Sequence, residues 1–296
     1  MIGLIPAAGI GKRMKPLSDE IPKPLLPVLN RPLIEYVIEW MKKAGIEEIF
    51  VAVNYRKEDF KKIKGVKLIE QKVLDGTVTA IKLVEKFVDD DFIVVWGDNF
   101  LRGKLNNLVE SHKKNSATAT IMLDRDVTST GATVFIKNNR IYRIKERCSK
   151  KGGFSPAGAY AFSPEIFKYT NMVEKSESGE YEISDLLQIL ADMNKLDHVW
   201  LEGWRLNITT PVNLLRANLK FLNETGKNYF VGKNCEIDGE IENTIIGNDV
   251  VVKRSRIASS LIMDGVRIED SLIENGIIRP NRIIKNSRIT DSFAIL

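Results

Sequence analysis

A short apolar run, Ile2 to Ile5, breaks into Ala7-Ala8-Gly9-Ile10-Gly11 and opens at once onto Lys12, Arg13 and Lys15. No other stretch restricts the fold of this chain as tightly. An apolar run bounded by a small-residue turn reads as a buried strand. Small residues let the backbone come close to a ligand, and the N–H groups of such a turn can point at phosphate oxygens. The cations that follow can neutralise charge building up on a leaving phosphate. Beyond Arg13, Lys23 stands between Pro22 and Pro24, two prolines that stiffen the chain around one lysine.

From there strand and helix signals alternate. Pro32 opens a helical run in which Ile34, Val37, Ile38 and Met41 share one face, closed by Ala44-Gly45. Ile49 to Val53 reads as a strand, Arg56 to Ile63 as a short helix and Val66 to Glu70 as a strand. Gly76 to Phe87 reads as a helix, and Phe92 to Trp96 as a strand ending in Gly97-Asp98-Asn99. Leu105 to Lys114 is helical and Ala119 to Leu123 a strand. The alternation predicts an α/β fold: a doubly wound, mostly parallel, Rossmann-like sheet with ligands at the carboxyl ends of its strands. Between Ala132 and Phe162 three strands come without helices: Ala132 to Ile136, Ile141 to Glu146, and Ala157 to Phe162. They suit a substrate-covering insertion or an edge extension. Glu182 to Met193 and Val212 to Leu222 return to helix.

Past Asn228 the pattern changes. Ile and Val recur at short spacing with Gly, Asn, Asp and Ser between them, from Val231-Gly232 through Ile246-Gly247 to Ile273. This is similar to the hexapeptide repeat of a left-handed parallel β-helix, and a small β-sandwich of short strands is the alternative. The chain thus divides into an α/β domain, residues 1–227, and a repeat segment, residues 228–296. A coil of stacked turns leaves an open edge and predicts a homo-oligomer.

Composition narrows the function classes. No apolar run reaches the length of a membrane span, and Met1-Ile2-Gly3 lacks the basic start of a signal peptide. Cys148 and Cys235 lie far apart without metal-like spacing, which predicts reduced thiols and a cytoplasmic protein. A net charge of +5 spread over 44 basic residues suits a solvated surface, and no basic stripe with interleaved aromatics points to nucleic acid. With His112 and His198 the only histidines, His-centred acid–base chemistry and His-rich metal sites are poor fits.

The familiar phosphate loops do not match. A Walker A loop needs Gly where Pro6 stands and Ser or Thr where Arg13 stands; a dinucleotide fingerprint needs Gly where Met14 stands. What Leu4 to Lys23 does resemble, in order, is the signature of the sugar-phosphate nucleotidylyltransferases: a strand, A-A-G-x-G-[TSK]-R-[ML]-x-P-L, then P-K-P-[LM]-[LV]-P. The resemblance runs through residues 1 to about 225. It implies that Ala8, Gly9, Gly11, Lys12 and Arg13 bind the nucleotide triphosphate, and that Arg13, Lys23 and Asp98 are catalytic. Gln71 and Gly76 match the positions that read a pyrimidine base, and Thr77, which follows them, is implied in the nucleotide site. Gly131, Glu146, Arg147, Gly158 and Tyr160 match the sugar-phosphate site. Mg²⁺ is the implied cofactor, with Asp98 and Asn207 as its ligands; Mg²⁺ takes few protein carboxylates and leaves its other positions to water and phosphate.

Three departures stand out. Lys12 replaces the Thr of most relatives, and Pro156 replaces an Asn near the sugar. In Trp204-Arg205-Leu206-Asn207-Ile208-Thr209-Thr210-Pro211, Asn207 stands where thymidylyltransferases carry Asp; the N-acetylglucosamine-1-phosphate uridylyltransferases, which this resembles here, carry Asn. The repeat segment holds no histidine, so no acetyl transfer is expected of it. The expected reaction joins UTP or dTTP to a sugar 1-phosphate, glucose 1-phosphate by default, releasing pyrophosphate. Two rivals share these features: a cytidylyltransferase for a phosphorylated alcohol, and a regulatory subunit that binds nucleotide sugar without turnover.

Overall fold

A computed structural model describes residues 1–126, 131–146, 148, 152–290 and 293–296. Its contacts divide the chain into two compact units: Met1–Gly9 with Ile34–Arg205, and Ile10–Leu33 with Leu206–Leu296.

The first unit is built on seven strands: β1 (Ile2–Pro6), β2 (Glu48–Val53), β3 (Lys67–Glu70), β4 (Phe92–Val95), β5 (Ala119–Asp124), β6 (Ser155–Phe162) and β7 (Leu196–Trp200). They form one sheet in the order β7-β5-β6-β4-β1-β2-β3. β1 lies parallel to β2 and β4, β2 to β3, and β5 to β7. Leu4, Phe50, Phe92, Val94, Ile121 and Phe162 join its core, with the Phe92 and Phe167 rings stacked at 5.5 Å. Each such side chain contributes about 1.5–3 kcal/mol over its exposed state. The helix Leu33–Lys43 turns Ile34, Val37, Ile38 and Met41 into the interior, as its spacing predicts.

One strand corrects the sequence reading. Ala157 to Phe162 belongs to no peripheral insertion: β6 runs antiparallel between β4 and β5, in the middle of the sheet. Ala157, Ala159 and Ala161 alternate with Gly158, Tyr160 and Phe162, and all six are buried, as a strand covered on both faces requires. The other two strands of that group, Thr133–Lys137 and Arg140–Lys145, pair as a separate antiparallel ribbon. The sheet is therefore mixed, though mostly parallel.

In the second unit, the helix Pro211–Glu224 starts with Pro at its first position behind a Thr210–Asn213 capping box. The chain then winds into stacked parallel strands. Ile246 lies beside Ile262 and Ile262 beside Ile278; Val252, Ile268 and Ile284 form a second column, and Ile257, Ile273 and Ile289 a third. Ile246, Val252, Ile257, Ile262, Ile268 and Ile273 fill the middle of the coil. Ser287 donates its N–H to Ser271 Oγ, and Ser271 its N–H to Ser255 Oγ, in steps of 16 residues. That step is not a multiple of the six residues the sequence pattern suggested. The corners explain it. Asn243, Asp249, Arg254 and Ser259 have positive φ, and so do Gly265, Asp270, Asn275, Asn281 and Asn286. One left-handed residue turns the chain at each corner, a conformation that Gly, Asn and Asp adopt most readily. Some sides of the coil are therefore shorter than six residues. Among the described residues, no helix is long and apolar enough to cross a membrane.

Candidate functional site

In the first unit, the carboxyl end of β1 leads into Ala7 and Ala8, both buried, and Gly9, which is exposed and faces open space. Beside them the chain leaves β4 through Trp96-Gly97-Asp98-Asn99. The Gly97 N–H donates to Pro6 O at 3.2 Å, and a Cβ on Gly97 would lie 3.1 Å from Ile5 Cγ2. The glycine thus lets the Asp98 turn close against the end of β1, with Asp98 half-buried.

The same turn is joined to β6. Trp96 N–H donates to Gly158 O at 3.0 Å, and Asn99 Nδ2 donates to Ala157 O at 3.3 Å. Gly158 has φ +75°, and a Cβ there would collide with the Asn99 amide. Asn99 Oδ1 is buried without a hydrogen-bond partner among the described residues. Tyr160 packs on Trp96 with ring centroids 5.3 Å apart. Burial pushes the Tyr160 hydroxyl far above its ordinary pKa; the Glu146 and Asp98 carboxylates add to the shift, while a hydrogen bond with Trp96 and the Arg205 cation oppose it. Tyr160 therefore stays protonated at any working pH, and the carboxylates of Asp98 and Glu146 both act on its surroundings. Asp98, Gly158 and Tyr160 are thus brought together.

Gln71 and Gly76 form a second cluster. Gln71 is 5% exposed and sits just past β3, its N–H on Val53 O at 2.9 Å. Its side-chain Nε2 donates to Val73 O at 3.2 Å and to Gly76 O at 3.3 Å. Neither bond engages Oε1, so the amide is oriented while keeping an acceptor. Gly76 has φ +131°, and a Cβ on it would overlap the backbone N and O of Tyr181. Thr77 opens the helix Thr77–Lys82 and its hydroxyl accepts from Ile183 N–H at 2.8 Å, so it pins that helix to the start of the helix Ile183–Asp192. Gly131 is half-buried ahead of the antiparallel ribbon, and Glu146 is exposed at its end. Arg147 lies outside the described residues.

In the second unit, Gly11 adopts φ 70° and ψ 40° and starts a tight turn over Lys12–Met14. Met14 and Leu17 are buried, while Lys12 and Arg13 are exposed. Ser18 Oγ donates to Gly11 O at 3.0 Å. A Cβ on Gly11 would lie 3.4 Å from Lys23 Cβ, so the turn and the Pro22-Lys23-Pro24 segment pack directly. Asn207 ends the strand Gly203–Asn207, and its Oδ1 is buried without a partner among the described residues. A buried carbonyl oxygen with no hydrogen-bond partner is of a chemistry that could ligate a cation. Among the described residues, no group of three or more His, Cys, Asp or Glu side chains could hold a metal.

The model of the nucleotidyl transferase family matches residues 2–224. The chain belongs to that family. It is 33% identical over 248 residues to the bifunctional protein GlmU of Methanococcus aeolicus, which covers 81% of this chain and 60% of that protein. It is 27% identical over 238 residues to the UTP–glucose-1-phosphate uridylyltransferase AglF of Haloferax volcanii, covering 76% of this chain and 98% of AglF. A Bacillus anthracis protein provisionally named a glucose-1-phosphate thymidylyltransferase, crystallised with a sucrose, superposes with a TM-score of 0.68 at 26% identity. That match covers 74% of this chain and 94% of the other. The chain thus spans about 60% of the length of the bifunctional relative.

Sequence reasoning missed Asn99, Tyr181 and the partly buried Arg205–Asp124 ion pair, whose Nε to Oδ2 distance is 3.0 Å. Only Asn99 had a signal, its place directly after Asp98.

Proposed function

We propose that this protein transfers a nucleotidyl group from UTP or dTTP to a sugar 1-phosphate, with glucose 1-phosphate the first choice, giving a nucleotide sugar and pyrophosphate. An oxygen of the sugar phosphate attacks the α-phosphorus in line, its bond forms as the bond to the leaving pyrophosphate breaks, and no covalent enzyme intermediate is needed. The observation that carries this reading is the packing of Gly11 against Lys23, which keeps Lys23 beside the turn that bears Lys12 and Arg13.

Each residue then has a task. Ala8, Gly9 and Gly11 leave room for the triphosphate; Lys12 and Arg13 hold the phosphates that leave; Lys23 neutralises charge between the two substrates' phosphates. Gln71 and Gly76 read the pyrimidine, Gln71 through its oriented amide, and Thr77 fixes the helix that follows them. Gly131, Glu146, Arg147, Gly158 and Tyr160 hold the sugar phosphate, with Tyr160 as a protonated wall. Asp98 and Asn207 would hold Mg²⁺, which supplies charge neutralisation at the phosphates. Residues 1–227 would form the catalytic domain and residues 228–296 a left-handed β-helix through which copies associate. Two unpaired cysteines and phosphorylated substrates support a cytoplasmic location.

Pyrophosphate release from five nucleoside triphosphates against several sugar 1-phosphates tests the reading. Turnover with UTP or dTTP is expected; preference for CTP with a phosphorylated alcohol, or binding without turnover, would replace it. Asn207→Asp tests the metal site. A carboxylate is a harder charged ligand than an amide oxygen, so Mg²⁺ should half-saturate activity at a lower concentration. An unchanged Mg²⁺ dependence would remove Asn207 from the metal site.

A further inference from the structure

The segment that carries Arg13 and Lys23 is held by the C-terminal coil. Glu20 closes the single helical turn Leu17–Glu20, three residues before Lys23. Its Oε1 accepts from Arg279 Nη1 at 2.6 Å and from Arg282 Nη2 at 2.6 Å. Both arginines project from one corner of the coil, directly after the strand Gly276–Ile278. That corner is stiff: it contains Pro280, Asn281 turns it with φ +59°, Asn281 N–H donates to Asp264 O at 2.9 Å, and Arg279 N–H donates to Leu296 O at 2.7 Å. Beyond Lys23 the segment is tied down again. Asn30 Nδ2 donates to Ile246 O of the coil at 2.7 Å, and the fully buried Asn218 donates to Pro27 O and accepts from Leu29 N–H.

We propose that Arg279 and Arg282 are positioning residues: by gripping Glu20 they fix the position of Lys23, and so make the coil a working part of the catalytic site. The inference rests on the nucleotidyl-transfer reading for its consequence, but the clamp itself stands on geometry alone. Between Glu20 and Lys23 the chain has little freedom, because Pro22 and Pro24 restrict it and the Leu25 N–H is bonded to Pro22 O at 2.8 Å. A shift of Glu20 therefore carries to Lys23. Partly exposed ion pairs do little for global stability. The signature of the clamp is accordingly local.

The test uses the full-length protein with Arg279→Ala/Arg282→Ala, and with Glu20→Gln as a variant that keeps shape and loses charge. Hydrogen exchange at the Ile21, Leu25 and Leu26 amides should quicken by about tenfold, while amides of β1 and β4 hold their rates. In pyrophosphate release, kcat should fall by about tenfold, with the KM for the sugar phosphate less affected. In a Lys23→Ala background the same substitutions should lower kcat no further, because the clamp acts through Lys23. Unchanged exchange at these amides would overturn the clamp whatever the activity. Faster exchange with unchanged kcat, or a full additional loss in the Lys23→Ala background, would overturn its positioning role. A wild-type protein with no turnover would defeat the enzymatic reading while leaving the exchange arm to decide the clamp.

Discussion

Lys23→Ala is expected to lower turnover by roughly 10²-fold or more and to leave the fold intact. Losing one preorganised donor at a transition state costs about that factor, because water cannot reproduce a charge already in place. The fold survives because the packing of this segment comes from its neighbours. Pro22, Pro24, Leu25 and Leu26 are buried, while Lys23 itself is only half-buried. Lys23→Arg should recover part of the loss, since it restores charge on a wider, planar group. Pyrophosphate release measured beside thermal unfolding checks both halves. Turnover within a few-fold of wild type would sink the phosphate role of Lys23.

Gly76→Ala should be among the most damaging single substitutions for stability. At φ +131° an alanine is strained by about 1–3 kcal/mol before any contact is considered. Its Cβ would also overlap the Tyr181 backbone, which is bonded on both sides: Tyr181 N–H donates to Asp75 O at 2.7 Å and Val78 N–H to Tyr181 O at 3.1 Å. No flexible side chain is present there to move aside. The helix Thr77–Lys82 must shift, taking the carbonyl that orients Gln71 with it. A fall in Tm of about 10 °C, with weakened pyrimidine nucleotide binding, is expected from a loss of that size. A variant that melts within two or three degrees of wild type would contradict the backbone conformation described for Gly76.

Both predictions rest on features of unequal legibility in the sequence. β1 to β4 and the helix Leu33–Lys43 were readable because each is a local pattern, a short apolar run or a regular face. The hydrogen bond from Gln71 to Gly76 O was not anticipated, although it spans only five residues, because a sequence spacing does not say where a side-chain amide points. β6 was misread because small and large residues alternate within an almost wholly apolar run, and periodicity alone cannot say which neighbours such a strand will find. The coil showed its isoleucine rhythm but not its step, since step length is set by which polar residues accept positive φ at the corners. The hold on Glu20 left no trace in the sequence. Its partners lie 259 and 262 residues away, and charged residues at such separations look like any solvated surface.

The most direct measurement of the central claim is product analysis after mixing the protein with Mg²⁺, glucose 1-phosphate and UTP or dTTP. The account predicts nucleotide sugar and pyrophosphate in equal amounts, both dependent on the sugar phosphate, and regeneration of nucleoside triphosphate when pyrophosphate is added to the nucleotide sugar. Nucleoside monophosphate formed without the sugar phosphate, or binding of nucleotide sugar with no pyrophosphate formed from any pair of substrates, would contradict it.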